Sequence, residues 1–320
     1  MPATEEMRAH LAAIPNLALS ANVPLAQHTR FGVGGPADLY AETADETAFL
    51  DALQAAQSAG IPVTVIGGGT NLIVSDAGYR GLILRYCGDS LRAEGARVET
   101  GAGVELQRLI DFTIDRGLCG LETLAGIPGW TGAAIYGNAG AYGHSISERV
   151  AVVRFFDGRR VRSFSNAECE FAYRESVFKR HKDWIIFSAV LELEAGSAEE
   201  LRRTAGGIVK VRNEKFPVTM QCAGSIFKNL LLRELPAAAA AQVPPEAVRE
   251  GKVPAAWFLE RAGAKGMHRG EIHVADYHAN LIYNAGGGTA ADLCSLIQDL
   301  KARVRAHFGF DLEEEVQYVS

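Results

Sequence analysis

A short polar stretch, AGSIFKNL at residues 223–230, brings together side chains that could do chemistry. Ser225 offers a small hydroxyl, Lys228 a cation and Asn229 an amide. A positioned hydroxyl can donate a proton to a strongly basic carbon. A serine that follows a glycine is, however, also typical of an ordinary turn. The residues alone favour the turn, and the proton-donor hypothesis stays open.

Two charged stretches are further candidates for chemistry. Arg174, in the sequence AYRES, could bind a carboxylate through two parallel hydrogen bonds. Residues 313–315 are three consecutive glutamates, and a carboxylic acid that its surroundings keep protonated can stabilise developing charge. An isolated loop arginine and an acidic run near a chain end are more often solvated. Both alternatives stay open on residue types alone.

Three glycine-rich loops are candidate phosphate sites. GGGTN at residues 67–71 lies between two strand-like runs, and its N–H groups could form an anion-binding nest, with Gly68 at a positive φ. GVGGPA at 32–37 has no strand before it and carries a proline inside the turn. GGGTAA at 286–291 leaves too few residues to complete a dinucleotide-binding half-domain. We predict plain turns at the last two, while a glycine-rich hairpin remains the alternative at the first.

The segment GLETLAGIPGWTGAAIYGNAGAYG at 120–143 consists largely of small residues. Such a composition costs folding entropy unless the backbone must approach something closely, and a flavin ring would meet that need. Trp130 and Tyr142 could flank the ring or a substrate, with core packing as an equal alternative. His268, His273 and His278 are five residues apart, a spacing that neither a helix nor a strand places on one face. We therefore expect no metal site.

The elements that must position these residues follow from periodicity. A helix at 43–60, with Thr43 and Glu46 in capping-box spacing, leads into a strand, the GGGTN loop and a second strand. A strand, a turn and a helix follow at 97–117. Later we expect strands at 150–156 and 184–193 and helices at 199–212 and 289–305. This alternation predicts an α+β or α/β core.

Composition limits the class of protein. The chain has 320 residues, 48% of them hydrophobic, which suffices for two or three domains. A net charge of −6 argues against binding to a nucleic-acid backbone. Five scattered cysteines without a C-x-x-C pair indicate reduced thiols. With no signal-peptide pattern and no membrane-spanning stretch, we expect a cytoplasmic protein without nucleic-acid or membrane partners.

Five motifs in register resemble the UDP-N-acetylenolpyruvoylglucosamine reductase family. They are VIGGGTNLIV, GLETLAGIPGWTGAAIYGNAGAYG, CEFAYRESVFK, AGSIFKN and LEEEVQYV, and together they extend over nearly the whole chain. The resemblance implies an α+β fold, with an FAD-binding domain of the vanillyl-alcohol-oxidase (PCMH) type in two subdomains and a C-terminal α/β substrate domain. The implied bounds are an N-terminal segment at 1–24, an FAD domain at 25–198 that is split near residue 86, and a substrate domain at 199–320. The lack of a long tyrosine-bearing insertion after CEFAYRESVFK is similar to the shorter subclass.

The resemblance also implies a function. The family uses non-covalent FAD and NADPH to reduce UDP-N-acetylglucosamine enolpyruvate to UDP-N-acetylmuramate, a peptidoglycan precursor. Arg174 matches the catalytic arginine, Ser225 the proton donor and Glu315 the catalytic acid, with Glu314 as the alternative register. We expect a monomer.

Binding residues are carried over by the same motifs. The FAD contacts implied are Ile66, Gly67, Gly68, Gly69, Thr70, Asn71, Gly126, Ile127, Pro128, Gly129, Gly132, Ala133, Asn138, Gly140 and Ala141. The substrate contacts implied are Tyr173, Lys215, Lys228 and Asn229. Leu230 stands where the family usually has proline, which puts only the rigidity of that turn in question.

Two other functions remain as alternatives. One is a flavin oxidoreductase of the same fold that acts on a small hydroxy acid, and reduction by NADPH without oxygen would separate it from the first reading. The other is a non-catalytic nucleotide-binding module, which would purify without flavin.

Overall fold

A computed structural model describes residues 2–320, with side chains from residue 5 onward. The chain forms two compact units, and each is built from separate segments. The first unit contains the residues up to Val23, Ala37–Gly68 and Arg80–Pro217. The second contains Pro24–Pro36, Gly69–Tyr79 and Val218–Ser320. The predicted boundary at residue 198 thus precedes a helix that the first compact unit still contains.

Helices and strands alternate along the described chain. The helices are α1 Pro2–Ala12, α2 Glu46–Ser58, α3 Leu106–Ile114, α4 Thr131–Tyr136, α5 Val177–Arg180, α6 Ala198–Lys215, α7 Ala237–Ala240, α8 Ala255–Arg261 and α9 Ala290–Phe308. The strands are β1 Ala18–Pro24, β2 Pro36–Thr43, β3 Val63–Ile66, β4 Leu72–Val74, β5 Tyr79–Tyr86, β6 Leu91–Glu94, β7 Arg97–Gly101, β8 Leu118–Cys119, β9 Gly140–Ala141, β10 His144–Ser145, β11 Val150–Phe156, β12 Val161–Ser165, β13 Ile185–Glu192, β14 Glu194–Ala195, β15 Leu230–Leu231, β16 Lys252–Val253, β17 His268–Arg269, β18 Ile272–Ala275, β19 His278–Asn284 and β20 Gln317–Val319.

The first unit contains a four-stranded sheet in the order β1-β2-β5-β3, in which β3 and β5 are parallel. Helix α2 buries Phe49, Leu53 and Ala56 of the predicted face, together with Ala48 and Ala52. Its N-cap is Asp45, whose carboxylate accepts hydrogen bonds from the N–H groups of Thr47 and Ala48. The predicted capping box is therefore wrong, because the Thr43 hydroxyl accepts from the Asp45 N–H instead.

A five-stranded antiparallel sheet, in the order β12-β11-β13-β7-β6, also belongs to this unit. Its core includes Val98, Leu109 and Phe155, all without exposed surface. The strands predicted at 150–156 and 184–193 are confirmed, and the helix predicted at 199–212 extends through Lys215 as α6. This sheet and its helices carry the glycine-rich segment and Arg174.

The second unit is organised by the antiparallel sheet β17-β18-β19 and by α9, which buries Leu293, Leu296 and Leu300. The hairpin places His268 opposite His273, with ring centroids 5.3 Å apart. The spacing argument considered single elements only, whereas pairing across the hairpin brings two of the three histidines together. The α+β class is confirmed.

The GGGTAA stretch is a strand-to-helix turn between β19 and α9, as predicted. The Asn284 side-chain oxygen accepts hydrogen bonds from the N–H groups of Gly286 and Gly288. The Asp76 carboxylate accepts two more, from Ala290 and Ala291 at the first turn of α9. The donors that an anion would need at this turn are therefore already used by the protein's own side chains.

Candidate active site

In the first unit, the loop after β3 lies against the glycine-rich segment. A Cβ atom added to Gly67 would lie 3.7 Å from the Ala133 Cβ, and one added to Gly68 would lie 3.2 Å from the Trp130 ring. Helix α4 starts directly after Trp130. The structure thus brings together the first two glycines of GGGTN and the IPGWTGA sequence, which the motifs predicted only as separate parts of one site.

Within the GGGTN loop, Gly69 is the position that cannot accept a side chain. Its φ is +70°, and a Cβ there would overlap the carbonyl oxygen of His28. The φ of Gly68 lies outside the left-handed region, so our expectation for that residue is wrong. Gly68 is constrained by Trp130, whereas Gly69 is constrained by both conformation and space.

Gly132 allows α4 to approach β7 and α3 closely. A Cβ at residue 132 would lie 2.7 Å from that of Ala102, and the Gly132 N–H donates to the Ala102 carbonyl at 2.9 Å. The N–H of Leu106 donates to the carbonyl of Gly129 at 2.9 Å, which fixes the other end of the segment. Small residues here therefore hold the backbone of the segment in place.

Arg174 lies at the tip of a tight turn between Ala172 and Glu175, whose backbones exchange two hydrogen bonds of 3.0 and 3.1 Å. The φ of Arg174 is +57°, a left-handed conformation that this turn position normally reserves for glycine or asparagine. A non-glycine residue held there costs about 1–3 kcal/mol and is characteristic of functional sites. Its guanidinium donates to the Gly140 carbonyl at 3.0 Å.

Three residues that the sequence reasoning missed or assigned differently support this turn. The Lys179 ammonium donates to the Arg174 carbonyl at 2.8 Å. The buried Ser176 hydroxyl donates to the carbonyl of Tyr136 at 2.7 Å. The side-chain amide of Asn138, which we expected at FAD, donates to the Ala172 carbonyl at 2.8 Å. The ESVFK spacing that places Lys179 one helical turn from Glu175 was the available signal for Lys179.

Ser225 lies in an extended segment and not in a turn. It forms a bridge with Leu281 of β19, and the next residue, Ile226, donates its N–H to the Asn280 carbonyl. On the other side, the Ile226 carbonyl accepts from the N–H of Glu315 at 2.7 Å. The structure therefore brings Ser225 and Glu315 to neighbouring positions of one backbone ladder in the second unit.

Glu314 and Glu315 have different surroundings. The Glu314 carboxylate is 15% exposed and pairs with the Lys301 ammonium of α9 at 2.8 Å. Burial, together with a hydrogen bond to Glu314, raises the pKa of the Tyr318 phenol. The backbone of Glu315 is fixed from two sides, by Ile226 and by the side-chain amide of Asn71, which donates to its carbonyl at 2.8 Å. Asn71, expected at FAD, thus positions Glu315.

The expected substrate residues occupy varied environments. The Lys228 ammonium is buried against the Glu313 carboxylate. Asn229 is exposed, and its side-chain oxygen accepts from the Ala255 N–H at 3.3 Å. Tyr173 packs its ring 5.3 Å from the guanidinium of Arg174, and Lys215 ends α6 with its ammonium 5.2 Å from the Phe216 ring. Their contacts with substrate stay predictions.

Among the described residues, no group of three or more His, Cys, Asp or Glu side chains is placed to hold a metal ion. Within residues 2–320, no helix combines the length and apolar content that crossing a membrane requires.

Comparison with known proteins identifies the family. A model of the UDP-N-acetylenolpyruvoylglucosamine reductase C-terminal domain matches residues 216–319, and one of an FAD-binding domain matches residues 37–159. The chain is 69% identical to the UDP-N-acetylenolpyruvoylglucosamine reductase of Solibacter usitatus, over 97% of this chain and 99% of that one. The chain belongs to the UDP-N-acetylenolpyruvoylglucosamine reductase family.

Reductases with lower sequence identity to this chain support the same family assignment. The enzyme of this name from Bacillus subtilis is 35% identical, over 93% of both chains. The crystal structure of the UDP-N-acetylenolpyruvylglucosamine reductase from Thermus caldophilus matches with a TM-score of 0.73 and 27% identity, over 95% of this chain and 99% of that one. The expected family, the PCMH-type FAD fold and the class of FAD-dependent oxidoreductase in peptidoglycan precursor synthesis are confirmed.

The first unit of this reductase fits FAD on its own geometry. At Gly67 and Gly68 the neighbours toward α4 are a small side chain, Ala133, and a planar ring, Trp130. Nearby, the Nε–H of Arg85 is buried without a hydrogen-bond partner, and the Arg85 guanidinium lies 4.1 Å from the Trp130 ring centroid. A glycine cradle and an unused cationic donor suit a cofactor that carries a diphosphate.

Proposed function

We propose that the protein reduces UDP-N-acetylglucosamine enolpyruvate to UDP-N-acetylmuramate with NADPH as the reductant. The observation that carries this proposal is the ladder that joins Ile226 to Glu315, since it brings the backbones of Ser225 and Glu315, the proposed proton donor and the proposed charge-sharing acid, to neighbouring positions. The reaction needs a proton donor at the carbon beside the carboxylate. It also needs a group that stabilises the negative charge on the carboxylate side of the substrate.

Residues of the 66–71 loop and of the 126–141 segment would hold FAD. The candidates are Ile66, Gly67, Gly68, Gly69, Thr70, Asn71, Gly126, Ile127, Pro128, Gly129, Gly132, Ala133, Asn138, Gly140 and Ala141. The chemistry that FAD would supply there, when bound, is hydride transfer from NADPH to the terminal carbon of the enolpyruvyl group. Asn71 and Asn138 would contribute through their backbone, because their side-chain amides already donate to Glu315 and Ala172.

Arg174 would stabilise the negative charge that develops on the substrate carboxylate. A guanidinium is planar and can bind a carboxylate through two parallel hydrogen bonds, and fixed donors of this kind stabilise charge more in the transition state than in the ground state. The turn between Ala172 and Glu175 holds the Arg174 backbone before substrate arrives. A protonated Glu315 would share the same charge.

Ser225 would donate its hydroxyl proton to the carbon beside the carboxylate. The electron pair of the enolate forms the new C–H bond, and the serine oxygen is left as an alkoxide that solvent reprotonates. An enolate is basic enough to accept a proton from a positioned hydroxyl. Tyr173, Lys215, Lys228 and Asn229 are the proposed substrate-binding residues.

The experiment that tests this function is anaerobic oxidation of NADPH by the flavin-loaded protein with and without UDP-N-acetylglucosamine enolpyruvate. We expect rapid flavin reduction and then one NADPH consumed per substrate reduced. Flavin that NADPH reduces but the enolpyruvyl substrate does not re-oxidise would contradict the proposed substrate. A colourless protein that takes up no FAD would contradict every flavoenzyme assignment.

We also infer the organisation that the motifs predicted, with FAD binding assigned to residues 25–198 and substrate binding to residues 199–320. A monomeric state and a cytoplasmic location belong to this proposal. Sedimentation velocity of the flavin-loaded protein tests the monomer.

A further inference from the structure

The side chain of Arg85 is unusual for an arginine on a central strand. It is 18% exposed, and its Nε–H is buried without a hydrogen-bond partner. Nη1 donates to the Tyr40 hydroxyl at 3.1 Å and lies 3.7 Å from the Glu42 carboxylate. A buried donor without a partner destabilises a fold, so its retention calls for an explanation.

The position of Arg85 relates it to the glycine loop. In the parallel pair of β3 and β5, Arg85 is opposite Ile66, the residue directly before Gly67. Its guanidinium lies 4.1 Å from the Trp130 ring centroid, within the range of a favourable cation–π contact. The Cδ1 and Nε1 atoms of that ring lie 3.2 and 3.4 Å from where a Cβ of Gly68 would be. Arg85, Trp130 and Gly68 therefore form one contiguous cluster.

The hydrogen bonds around Arg85 leave its charge only partly compensated. Tyr40 donates its hydroxyl to Glu42 at 3.1 Å and is itself neutral, since burial raises its pKa to about 12. Glu42 is the one carboxylate that the described contacts place beside Arg85, and it lies beyond hydrogen-bond distance. A partly compensated cation beside the glycine loop favours an anion there.

We propose that Arg85 is the cation of the flavin site, where its guanidinium favours binding of the FAD diphosphate and holds Trp130 against the Gly68 backbone. This inference rests on the proposed placement of FAD at residues 66–71. It adds a charged residue and a positioned indole to a loop whose glycines alone would bind through backbone N–H groups. Arg85 binds cofactor here and has no part in the reaction.

The test is equilibrium dialysis of the full chain against FAD and against riboflavin, which lacks phosphate. At low salt, Arg85→Met should raise the Kd for FAD about tenfold, as expected for one partly buried charge near a dianion. At 1 M salt that ratio should fall only in part, because salt screens a partly buried charge pair less than an exposed one. The Kd for riboflavin should change less than twofold, because the lost charge acts on the diphosphate.

Two variants serve as controls. Arg85→Lys keeps the charge, so it should recover most of the FAD affinity at low salt. Arg80→Met removes a charge from the same strand, where Arg80 is 62% exposed and pairs with Asp38 at 2.8 Å, and it should leave the Kd unchanged. Arg80 is five residues from Arg85, about 16 Å along a strand.

The inference is overturned if Arg85→Met binds FAD as tightly as the parent at low salt, or if it weakens FAD and riboflavin equally at every salt concentration. The second result would mean that Arg85 only supports the fold. Gly69→Ala separates this inference from the placement of FAD. If Gly69→Ala loses flavin while Arg85→Met binds FAD normally, only the role of Arg85 is overturned. Full retention of FAD in both variants would overturn the placement as well.

Discussion

At the scale of single residues, Arg174 combines a left-handed backbone with a carbonyl and a neighbouring turn that other side chains hold in place. The turn positions Tyr173 and Arg174 at its centre, and Lys179 and Asn138 bind the carbonyls of Arg174 and Ala172. Strain of this kind persists only where neighbours fix the conformation. Sequence alone favoured a solvated arginine, because φ cannot be read from residue type.

The first prediction concerns the shape of the Arg174 head group. Arg174→Lys keeps the charge but loses bidentate contact, so re-oxidation of the reduced flavin by substrate should slow roughly hundredfold. Stopped-flow absorbance measures this rate. Arg180→Lys, at an exposed pair with Glu170 on α5, is the control and should behave like the parent. Equal rates in both variants would remove Arg174 from the proposed chemistry.

The second prediction separates the two adjacent glutamates. Glu315→Gln should slow re-oxidation by substrate roughly hundredfold, as loss of a group that stabilises the developing charge does. Glu314→Gln should leave that rate near normal but lower the melting temperature, since it breaks the pair with Lys301. The reverse ranking of rates would show that Glu314 is the catalytic acid.

At the scale of elements, the loop after β3 depends on one backbone conformation. Gly69 combines φ of +70° with the carbonyl of His28 in the space that a Cβ would occupy. The third prediction is that Gly69→Ala yields a folded protein that purifies with little FAD, measured as the ratio of absorbance at 450 to 280 nm. Gly95→Ala is the matched control: its φ is +57° but nothing lies within 4 Å of a Cβ there, and its flavin content should be normal. Normal flavin content in Gly69→Ala would contradict the loop assignment.

The fourth prediction concerns the first turn of α9. Asp76→Ala removes the carboxylate that caps Ala290 and Ala291, and it should destabilise the protein by about 1–2 kcal/mol. Flavin content should not change, because the GGGTAA turn binds its own side chains. Chemical denaturation and flavin absorbance measure the two effects. Loss of FAD with unchanged stability would show that this turn is a nucleotide site after all.

Local sequence patterns predicted the strands around GGGTN and the helix α9 well, but they predicted the N-cap of α2 poorly. The strands on either side of GGGTN and the helix α9 follow from alternation, period and turn residues within short windows. Thr43 and Asp45 both precede α2, and only the geometry shows that the Asp45 carboxylate reaches the N–H groups while Thr43 binds Asp45. Thr43 and Asp45 could each cap α2. Which of them does so depends on the path of the backbone before the helix, which the sequence does not specify.

At the scale of the whole molecule, the sequence could not predict that each compact unit is assembled from separate segments. The strand β4 pairs in parallel with β20, so that Leu72–Val74 lie beside Gln317–Val319 in the second unit. Such pairing depends on tertiary packing over more than two hundred residues and leaves no local pattern. It also explains why Asn71 binds the backbone of Glu315, a contact that motif matching assigned to the cofactor.

The division of the reaction into two halves allows the central claim to be tested in one protein. Reduction of the flavin by NADPH involves no proton transfer to the enolpyruvyl group, whereas re-oxidation does. A defect in proton donation must therefore appear in the second half alone, while a damaged fold would affect both.

The decisive measurement is stopped-flow kinetics of Ser225→Ala. The variant should bind FAD and accept hydride from NADPH at near the parental rate, while re-oxidation by UDP-N-acetylglucosamine enolpyruvate falls roughly hundredfold to ten-thousandfold, as for loss of a general acid. Ser225→Cys should recover part of the rate, because a thiol of similar size can donate a proton. Re-oxidation of the alanine variant at the parental rate would contradict the role of Ser225 as proton donor.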